Sequence, residues 1–135
     1  MTGRIDFHYD VKNDIVIATP HWHLQTDEDV RSWFAQYEAY LKPFGRKMDF
    51  IVVLDDFEIA TTIGSFWGHY RAKLLNDFAR LNFRVRAPKK VRLFVNTSGV
   101  LHGIATEEAA SVDEAVRGIL GARSKAGLGR AASSA

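Results

Sequence analysis

The stretch FIVVLDDFEIATTIG, residues 50–64, decides the fold class of this chain. Its first five residues are apolar without alternation, which is the pattern of a strand covered on both faces, as at the centre of a parallel sheet. Asp55 and Asp56 end this run, Thr61 and Thr62 follow, and a helical pattern begins directly afterwards. The order of buried strand, polar loop and helix predicts an α/β protein with an exposed loop at the end of a central strand.

The residues before this stretch predict a hairpin and an amphipathic helix. Apolar and polar residues alternate over residues 5–10, and residues 15–18 form a second apolar run after a polar turn, so we expect two antiparallel strands. Pro20 should end the second strand. Thr26 is a typical N-cap and is followed by three acids. The helix that begins there has an apolar stripe of Val30, Trp33, Phe34, Tyr37 and Leu41.

The residues after this stretch predict two more helices and two more strands. A second helix is expected over residues 64–81, and residues 91–95 and 104–109 are expected to be strands. Ser111 begins a last helix with a capping box, and Gly121 ends it. In the second helix the predicted buried residues are Phe66, Tyr70, Leu74, Phe78 and Leu81, and the predicted exposed ones are Arg71, Lys73 and Asp77. In the last helix the predicted inward residues are Val112, Ala115, Val116, Ile119 and Leu120.

These elements predict an α/β fold with a mixed β-sheet, which has a leading hairpin and a parallel centre and is packed with three main helices. A single domain is expected over residues 1–122. Residues 123–135 are rich in Gly, Ala and Ser, and we expect them to form a disordered basic tail. No apolar run approaches the roughly 20 residues that span a bilayer, and no signal-peptide core is visible, so we expect a cytoplasmic protein.

The basic pI of about 9.0 originates mainly in the C-terminal segment. Residues 121–135 contain three basic and no acidic residues, and 18 basic residues less these three leave 15 against 16 acidic ones. Because the rest of the chain is nearly neutral, nucleic-acid binding is not favoured. One local cluster, Arg84, Arg86, Lys89 and Lys90, is a candidate anion-binding patch, and the alternative is a solvated surface without a ligand.

The sequence contains no recognisable catalytic motif. It has no cysteine, which excludes disulfides, zinc–thiolate sites and a thiol nucleophile. Asp55 and Asp56 are adjacent at a strand end, so their side chains should point to opposite faces. His21 and His23 have the spacing of two metal ligands on one side of an extended segment, but a third ligand would have to come from elsewhere. We therefore expect no catalytic residue, no bound metal and no cofactor.

The order of elements, together with three segments, resembles the STAS fold, and more closely the stage II sporulation protein AA-like (SpoIIAA-like) proteins of bacteria. The segments are FIVVLDDFEIATTIG (50–64), VRLFVN (91–96) and EEAASVDEAVRGIL (107–120). The resemblance covers about residues 4–122. It implies a non-enzymatic regulatory module that acts by binding a protein partner.

The resemblance also implies a position for a regulatory phosphate. STAS proteins of the anti-sigma antagonist type carry a phosphorylatable serine, in an Asp-Ser-Gly-like run, at the start of the helix after the central strand. Asp55 matches the acidic strand end, and Thr62 is the nearest counterpart of that serine, with Thr61 and Ser65 as alternatives. Ala60 stands where the family has an acid, so this loop is a degenerate version. The residues alone allow a simpler interpretation, in which Thr62 or Ser65 caps the second helix.

Aromatic residues on the second helix form a further candidate site. Most of the aromatic residues should be core, but Phe66, Trp67 and Tyr70 are candidates for a pocket or an interaction surface, because Trp67 lies off the predicted buried stripe. An apolar patch there would suit a second copy of the chain, so a homodimer is a further possibility. CRAL-TRIO-like proteins, which also pack movable helices on a sheet, imply the alternative function of binding a small apolar, lipid-like or anionic molecule.

Overall fold

The computed structural model describes residues 3–102 and 107–125, except for the side chains of residues 97–102. These ranges contain the mixed α/β architecture that the sequence predicts, with six strands and four α-helices. The strands are β1 (Arg4–Asp10), β2 (Ile15–Leu24), β3 (Met48–Val53), β4 (Phe57–Ile59), β5 (Ala79–Val85) and β6 (Glu107–Ala109). The helices are α1 (Asp27–Leu41), α2 (Gly64–Phe78), α3 (Lys89–His102) and α4 (Val112–Lys125), and short 3-10 turns cover Lys42–Phe44 and Thr61–Ile63.

The sheet is antiparallel at one edge and parallel elsewhere. Its strand order is β1-β2-β3-β5-β6, in which only β1 and β2 are antiparallel, and β4 pairs with the end of β2 beyond β3. Phe50 and Ile51 are adjacent in β3 and both are fully buried. Since adjacent side chains in a strand point to opposite faces, both faces of β3 are covered, which confirms the prediction for this stretch.

Helices cover both faces of the sheet. On one face, α1 and α2 pack over a large apolar cluster that includes Trp33, Phe50 and Trp67, and α3 packs beside α2. On the other face, α4 covers a smaller cluster around Ile51, Val85 and Ile119. No helix in the described ranges combines the length and apolar content that crossing a bilayer requires.

Helix α1 forms as the sequence predicts. The Thr26 hydroxyl accepts a hydrogen bond from the Asp29 backbone N–H at 3.1 Å, and the Asp29 carboxylate accepts one from the Thr26 N–H at 3.3 Å, so the helix begins with a capping box. The five residues of the predicted apolar stripe are the buried residues of this helix.

Pro20 does not end β2, which continues to Leu24. The reason is the position of its missing N–H. The Trp22 N–H donates to the Asp56 carbonyl, so Pro20, two residues earlier, faces the same edge of β2. On that edge β2 pairs with β3 over residues 15–18 and with β4 over residues 22–24, which leaves a gap at Pro20. A proline in the gap removes no ladder hydrogen bond.

Residues 79–95 differ most from the sequence prediction. Helix α2 ends at Phe78, and the predicted helical end is instead β5. The predicted strand over residues 91–95 belongs to α3, the crossover helix between the parallel strands β5 and β6. Val91 and Val95 are each 1% exposed whereas Leu93 is 63% exposed, a spacing of four that suits a helix. Here the need for a crossover between β5 and β6 outweighs the β-propensity of residues 91–95.

The buried face of α2 is rotated relative to the predicted one. Leu74 is buried as predicted, but Phe66, Tyr70 and Phe78 are only half-buried, and Leu81 lies in β5. Close packing between α2 and α3 explains the rotation, because a Cβ on Gly64 would lie 2.5 Å from the Phe94 ring. The small residues of α2 therefore belong to its buried face, which consists of Gly64, Trp67, Gly68, Arg71, Ala72, Leu74 and Leu75.

Helix α4 is longer than predicted. It continues through Gly121 to Lys125, so the first three residues assigned to the tail are helical, and Arg123 is buried. Leu120, predicted to point inward, is 39% exposed, whereas Ala115 and Ile119 are buried as predicted. Residues 126–135 of the predicted tail and residues 104–106 of the predicted last strand lie outside the described residues. Strand β6, Glu107–Ala109, is the remainder of that predicted strand.

Candidate functional site

Residues 55–65, which we call the β3–α2 loop, lie at the carboxyl edge of the parallel strands, where open α/β sheets place their ligands. Within this loop β4 pairs with β2, and the 3-10 turn Thr61–Ile63 leads directly into α2. Asp55, Thr61, Thr62 and Ser65 are all exposed. The structure thus presents the three predicted hydroxyl residues at the amino end of α2, next to backbone N–H groups that have no partner within the helix.

The interpretation that Thr62 or Ser65 caps α2 is wrong. The N-cap position of α2 is Ile63, and no side chain makes a capping hydrogen bond there. The 3-10 turn before it has Ala60 at its N-cap, again without a side-chain bond. The turn continues into the helix, so the hydroxyls of Thr61, Thr62 and Ser65 project from the surface of a continuous helical segment. None of them makes a capping hydrogen bond.

An open groove beside the loop is lined by acidic and histidine side chains. Its volume is about 510 Å³, and it is lined by His21, Trp22, His23, Asp55, Asp56, Phe57, Glu58 and Pro88. His21 bridges Asp56, 2.6 Å from Nδ1, and Asp6, 3.0 Å from Nε2. Asp55 lies 3.6 Å from Arg86. Such exposed pairs contribute about 0–1 kcal/mol each, so the groove is a solvated surface. Among the described residues, no group of three or more His, Asp or Glu side chains has the arrangement of a metal site.

The three candidate aromatic residues do not form one surface. Trp67 is 2% exposed, and its ring centroid lies 5.9 Å from that of Trp33. Phe66 and Tyr70 are half-buried and contact each other, with centroids 5.2 Å apart. The guanidinium of Arg31 lies 5.3 Å from the Phe66 centroid. Trp67 is therefore a core residue, whereas Phe66 and Tyr70 border the exposed side of α2.

The candidate anion-binding patch is also divided. Arg84 is only 7% exposed, and its Nη2 donates to Asn96 Oδ1 at 2.9 Å. Burial lowers the pKa of Arg84, and the positive charge of Arg92 adds to this, while Glu107 and Glu108 oppose it. Arg86, Lys89 and Lys90 are exposed. Arg84 lies within β5 on the sheet face that the helices cover, whereas Arg86 lies beyond the end of the strand, so the four residues do not form one cationic surface.

A largely buried pocket of about 30 Å³, which we call the interior cavity, lies between the sheet and helices α1, α2 and α3. The sequence does not predict this cavity, because the periodicity of large apolar residues places Arg71 on the exposed side of α2. Trp67 and Arg71 are four residues apart, which places both on one face of the helix. This spacing could have indicated that Arg71 is buried beside Trp67. Five buried polar atoms on the lining have no hydrogen-bond partner among the described residues: Trp33 Nε1, Tyr37 Oη, Trp67 Nε1, Arg71 Nη1 and Asn82 Oδ1.

Arg71 brings a positive charge to the interior cavity. Its side chain is 6% exposed, and its Cζ lies 5.9 Å from the Trp67 ring centroid. Burial, together with the charge of Arg84, lowers the pKa of Arg71 to about 10, so Arg71 remains a cation at neutral pH. Burial also raises the pKa of Tyr37, which therefore keeps its proton. Within the described part of the chain, no Asp or Glu side chain lines the cavity.

A second group of buried charged side chains lies at the edge of the sheet opposite the β3–α2 loop, and it is fully paired. Asp49, at the start of β3, accepts hydrogen bonds from Arg80 at 2.9 and 2.7 Å, from Arg123 at 2.6 Å and from the Leu81 N–H at 3.2 Å. Arg123 also donates to the carbonyls of Asn13 and Asp14 at 2.6 and 2.9 Å. Because every partner is satisfied, we regard this cluster as structural. It joins the end of α4 to the sheet and to the hairpin.

Comparison with known proteins identifies the fold. No protein-family model matches the chain, and no curated protein is similar to it at a significant level. Among solved structures, the anti-sigma factor antagonist SpoIIAA in its unphosphorylated form is similar, with a TM-score of 0.53 and 12% sequence identity. The match covers 89% of this chain and 98% of SpoIIAA. The chain therefore has a STAS/SpoIIAA-like fold, as the sequence predicts. At this identity the match concerns the fold alone.

Proposed function

We propose that this protein is a non-enzymatic regulatory module that binds a protein partner through the β3–α2 loop. The observation that supports this proposal is the exposure of Thr61, Thr62 and Ser65 at the amino end of α2 without any capping role. The similar structure is that of an anti-sigma factor antagonist, a regulatory protein, in its unphosphorylated form. A module of this class would act in the cytoplasm.

Phosphorylation of Thr62 would control the binding in this proposal, with Thr61 and Ser65 as alternative acceptors. A phosphate there would add about −1.5 to −2 charges at pH 7. The amino end of α2 would favour the modified form, because the positive end of the helix dipole stabilises an anion. A partner that docks on the loop would meet this charge directly, next to the carboxylates of Asp55 and Asp56. Modification would thus disfavour an acidic partner surface and favour a basic one.

Replacing Thr62 with glutamate should change partner binding about tenfold, because the substitution adds a charge to a loop that the partner contacts. The matched control is Thr62→Gln, which has the same size without the charge and should bind like the wild-type protein. Immobilised wild-type, Thr62→Glu and Thr62→Gln proteins are exposed to the same lysate, and the amount of each captured protein is compared by quantitative mass spectrometry.

The proposal requires at least one protein that the wild type and Thr62→Gln capture equally and that Thr62→Glu captures about tenfold less or tenfold more. Circular dichroism on all three proteins establishes that the fold is unchanged. Equal capture by all three would contradict a role for the loop charge. Capture of this same chain would identify the partner as a second copy, the homodimer that the half-buried Phe66 and Tyr70 also allow.

The alternative function, binding of a lipid-like molecule, has less support in the structure. The space between helices and sheet measures about 30 Å³. A single water needs roughly 10–15 Å³ by this measure, so the interior cavity accommodates about two water-sized atoms rather than an acyl chain. The structure favours a much smaller and polar occupant there.

A further inference from the structure

Among the buried polar atoms without a partner that line the interior cavity, hydrogen-bond donors predominate. Trp33 Nε1 and Trp67 Nε1 are donors only, Arg71 Nη1 is a charged donor, and Tyr37 keeps its hydroxyl proton. The acceptors among these described atoms are Asn82 Oδ1 and the oxygen of the Tyr37 hydroxyl, and rotation of the Asn82 amide would present a donor instead. Trp33, Tyr37, Trp67 and Arg71 are all at least nine-tenths buried, so water at the surface does not satisfy them.

A buried cation without a facing carboxylate is costly. Arg71 has lost most of its hydration, and its nearest charged neighbour in the cavity, Arg84, has the same sign. Each unpaired donor adds the cost of its own lost hydration. An occupant that carries negative charge and accepts several hydrogen bonds would remove these costs together.

We propose that the interior cavity binds one small monovalent anionic group, which is either a halide ion or the carboxylate of a short organic acid. Its volume of about 30 Å³ suits a halide ion or the two oxygens of a carboxylate better than the larger sulfate, phosphate esters and lipids. A water molecule could donate to Asn82 Oδ1 and to the Tyr37 hydroxyl oxygen, but it would leave the buried charge of Arg71 uncompensated. A carboxylate or halide needs donors alone, and the Arg71 guanidinium provides charge-assisted ones.

The bound anion would join three elements of the fold. It accepts from Trp33 and Tyr37 on α1 and from Trp67 and Arg71 on α2, and it lies against Asn82 of β5. Because α2 carries the β3–α2 loop at its amino end, occupancy would hold the base of that loop in place. The site includes none of the three candidate phosphate acceptors, Thr61, Thr62 and Ser65, so anion binding can be tested separately from phosphorylation.

The three tryptophans of the chain provide the test. The indole N–H groups of Trp33 and Trp67 line the interior cavity, whereas that of Trp22 does not and serves as an internal reference. Uniformly ¹⁵N-labelled protein is titrated separately with sodium chloride, bromide, formate and acetate. Sodium gluconate, whose anion is too large for the cavity, keeps the ionic strength constant. The indole N–H resonances are assigned with single Trp→Phe variants.

We expect the Trp33 and Trp67 resonances to shift with a saturable dependence on concentration, and the Trp22 resonance to stay in place. Arg71→Met should abolish the saturable shift, and Tyr37→Phe should weaken binding about tenfold, because one hydrogen bond to a charged group is lost. Arg117→Met, which removes an exposed arginine from α4, should bind like the wild-type protein. A response to halides alone or to carboxylates alone identifies which kind of anion is bound.

Three results would overturn the proposal: no saturable shift with any of the four salts, an equal shift of Trp22, or an unchanged response in Arg71→Met. Thermal unfolding provides a second measurement that does not depend on assignment. The midpoint of the wild-type protein should rise with the bound anion at constant ionic strength, as for any ligand that binds only the folded state. The midpoint of Arg71→Met should not respond, and an equal rise in both proteins would contradict the site.

Discussion

Replacing Asp49 with alanine is expected to lower the free energy of unfolding by about 3–5 kcal/mol, since it leaves a buried arginine without its partner. Asp49 and Arg123 are 0% and 3% exposed, and the Nε of Arg123 lies 2.6 Å from the carboxylate. Without Asp49, the Arg123 guanidinium would keep only its bonds to two backbone carbonyls. Urea unfolding followed by circular dichroism measures the change.

The matched control for this substitution is Asp77→Ala. Asp77 also forms an ion pair, at 3.1 Å with Lys73, but both side chains are about half exposed. Loss of an exposed pair one helical turn apart costs about 0.3–0.5 kcal/mol. If Asp49→Ala and Asp77→Ala destabilise the protein equally, the buried cluster does not hold α4 on the sheet. The double variant Asp49→Ala/Arg123→Met should recover part of the loss, because it removes the unpaired charge as well.

Replacing Trp67 with alanine should destabilise the protein by about 3–5 kcal/mol, the usual cost of truncating a buried aromatic residue. Trp67 packs against Trp33 and Phe57, with ring centroids 5.9 and 6.0 Å away, and the truncation would leave a large cavity beside the existing one. Phe66, the preceding residue, is half-buried, and Phe66→Ala should cost no more than about half as much.

The pair of variants distinguishes two faces of α2. The periodicity of large apolar residues predicts that Phe66 faces the core, whereas the structure buries Trp67. Thermal unfolding of both variants decides between them, and a larger loss for Phe66→Ala would favour the periodicity over the structure. Since Trp67 also lines the interior cavity, Trp67→Ala serves only as a stability test and gives no measure of anion binding.

Much of the architecture follows from local sequence patterns. The apolar run that includes Phe50 and Ile51 can be stable only with both faces covered, so it identifies the central strand. Thr26 and Asp29 form a capping box whose spacing alone specifies where α1 begins. The exposure of Thr61 and Thr62 likewise follows from their place between a buried strand and a helix. In each case the sequence pattern that allows the prediction spans only a few residues along the chain.

Other features were decided by contacts between distant residues. The segment around Val91 and Val95 has strand-like composition, yet it is a helix because the parallel pairing of β5 with β6 requires a crossover. Which face of α2 is buried depends on how closely Gly64 approaches Phe94. The periodicity of large residues does not reveal this approach.

The sequence by itself determined the α/β class, the central strand, the first helix and the exposed loop that precedes α2, because these depend on short-range periodicity and capping. Only the tertiary structure decided that Arg84 and Arg71 point inward and that Arg123 bonds to Asp49, 74 residues away. A charged side chain is usually assigned to the surface, since burial without a partner is unfavourable. Whether a partner exists depends on long-range contacts, which local sequence patterns do not reveal.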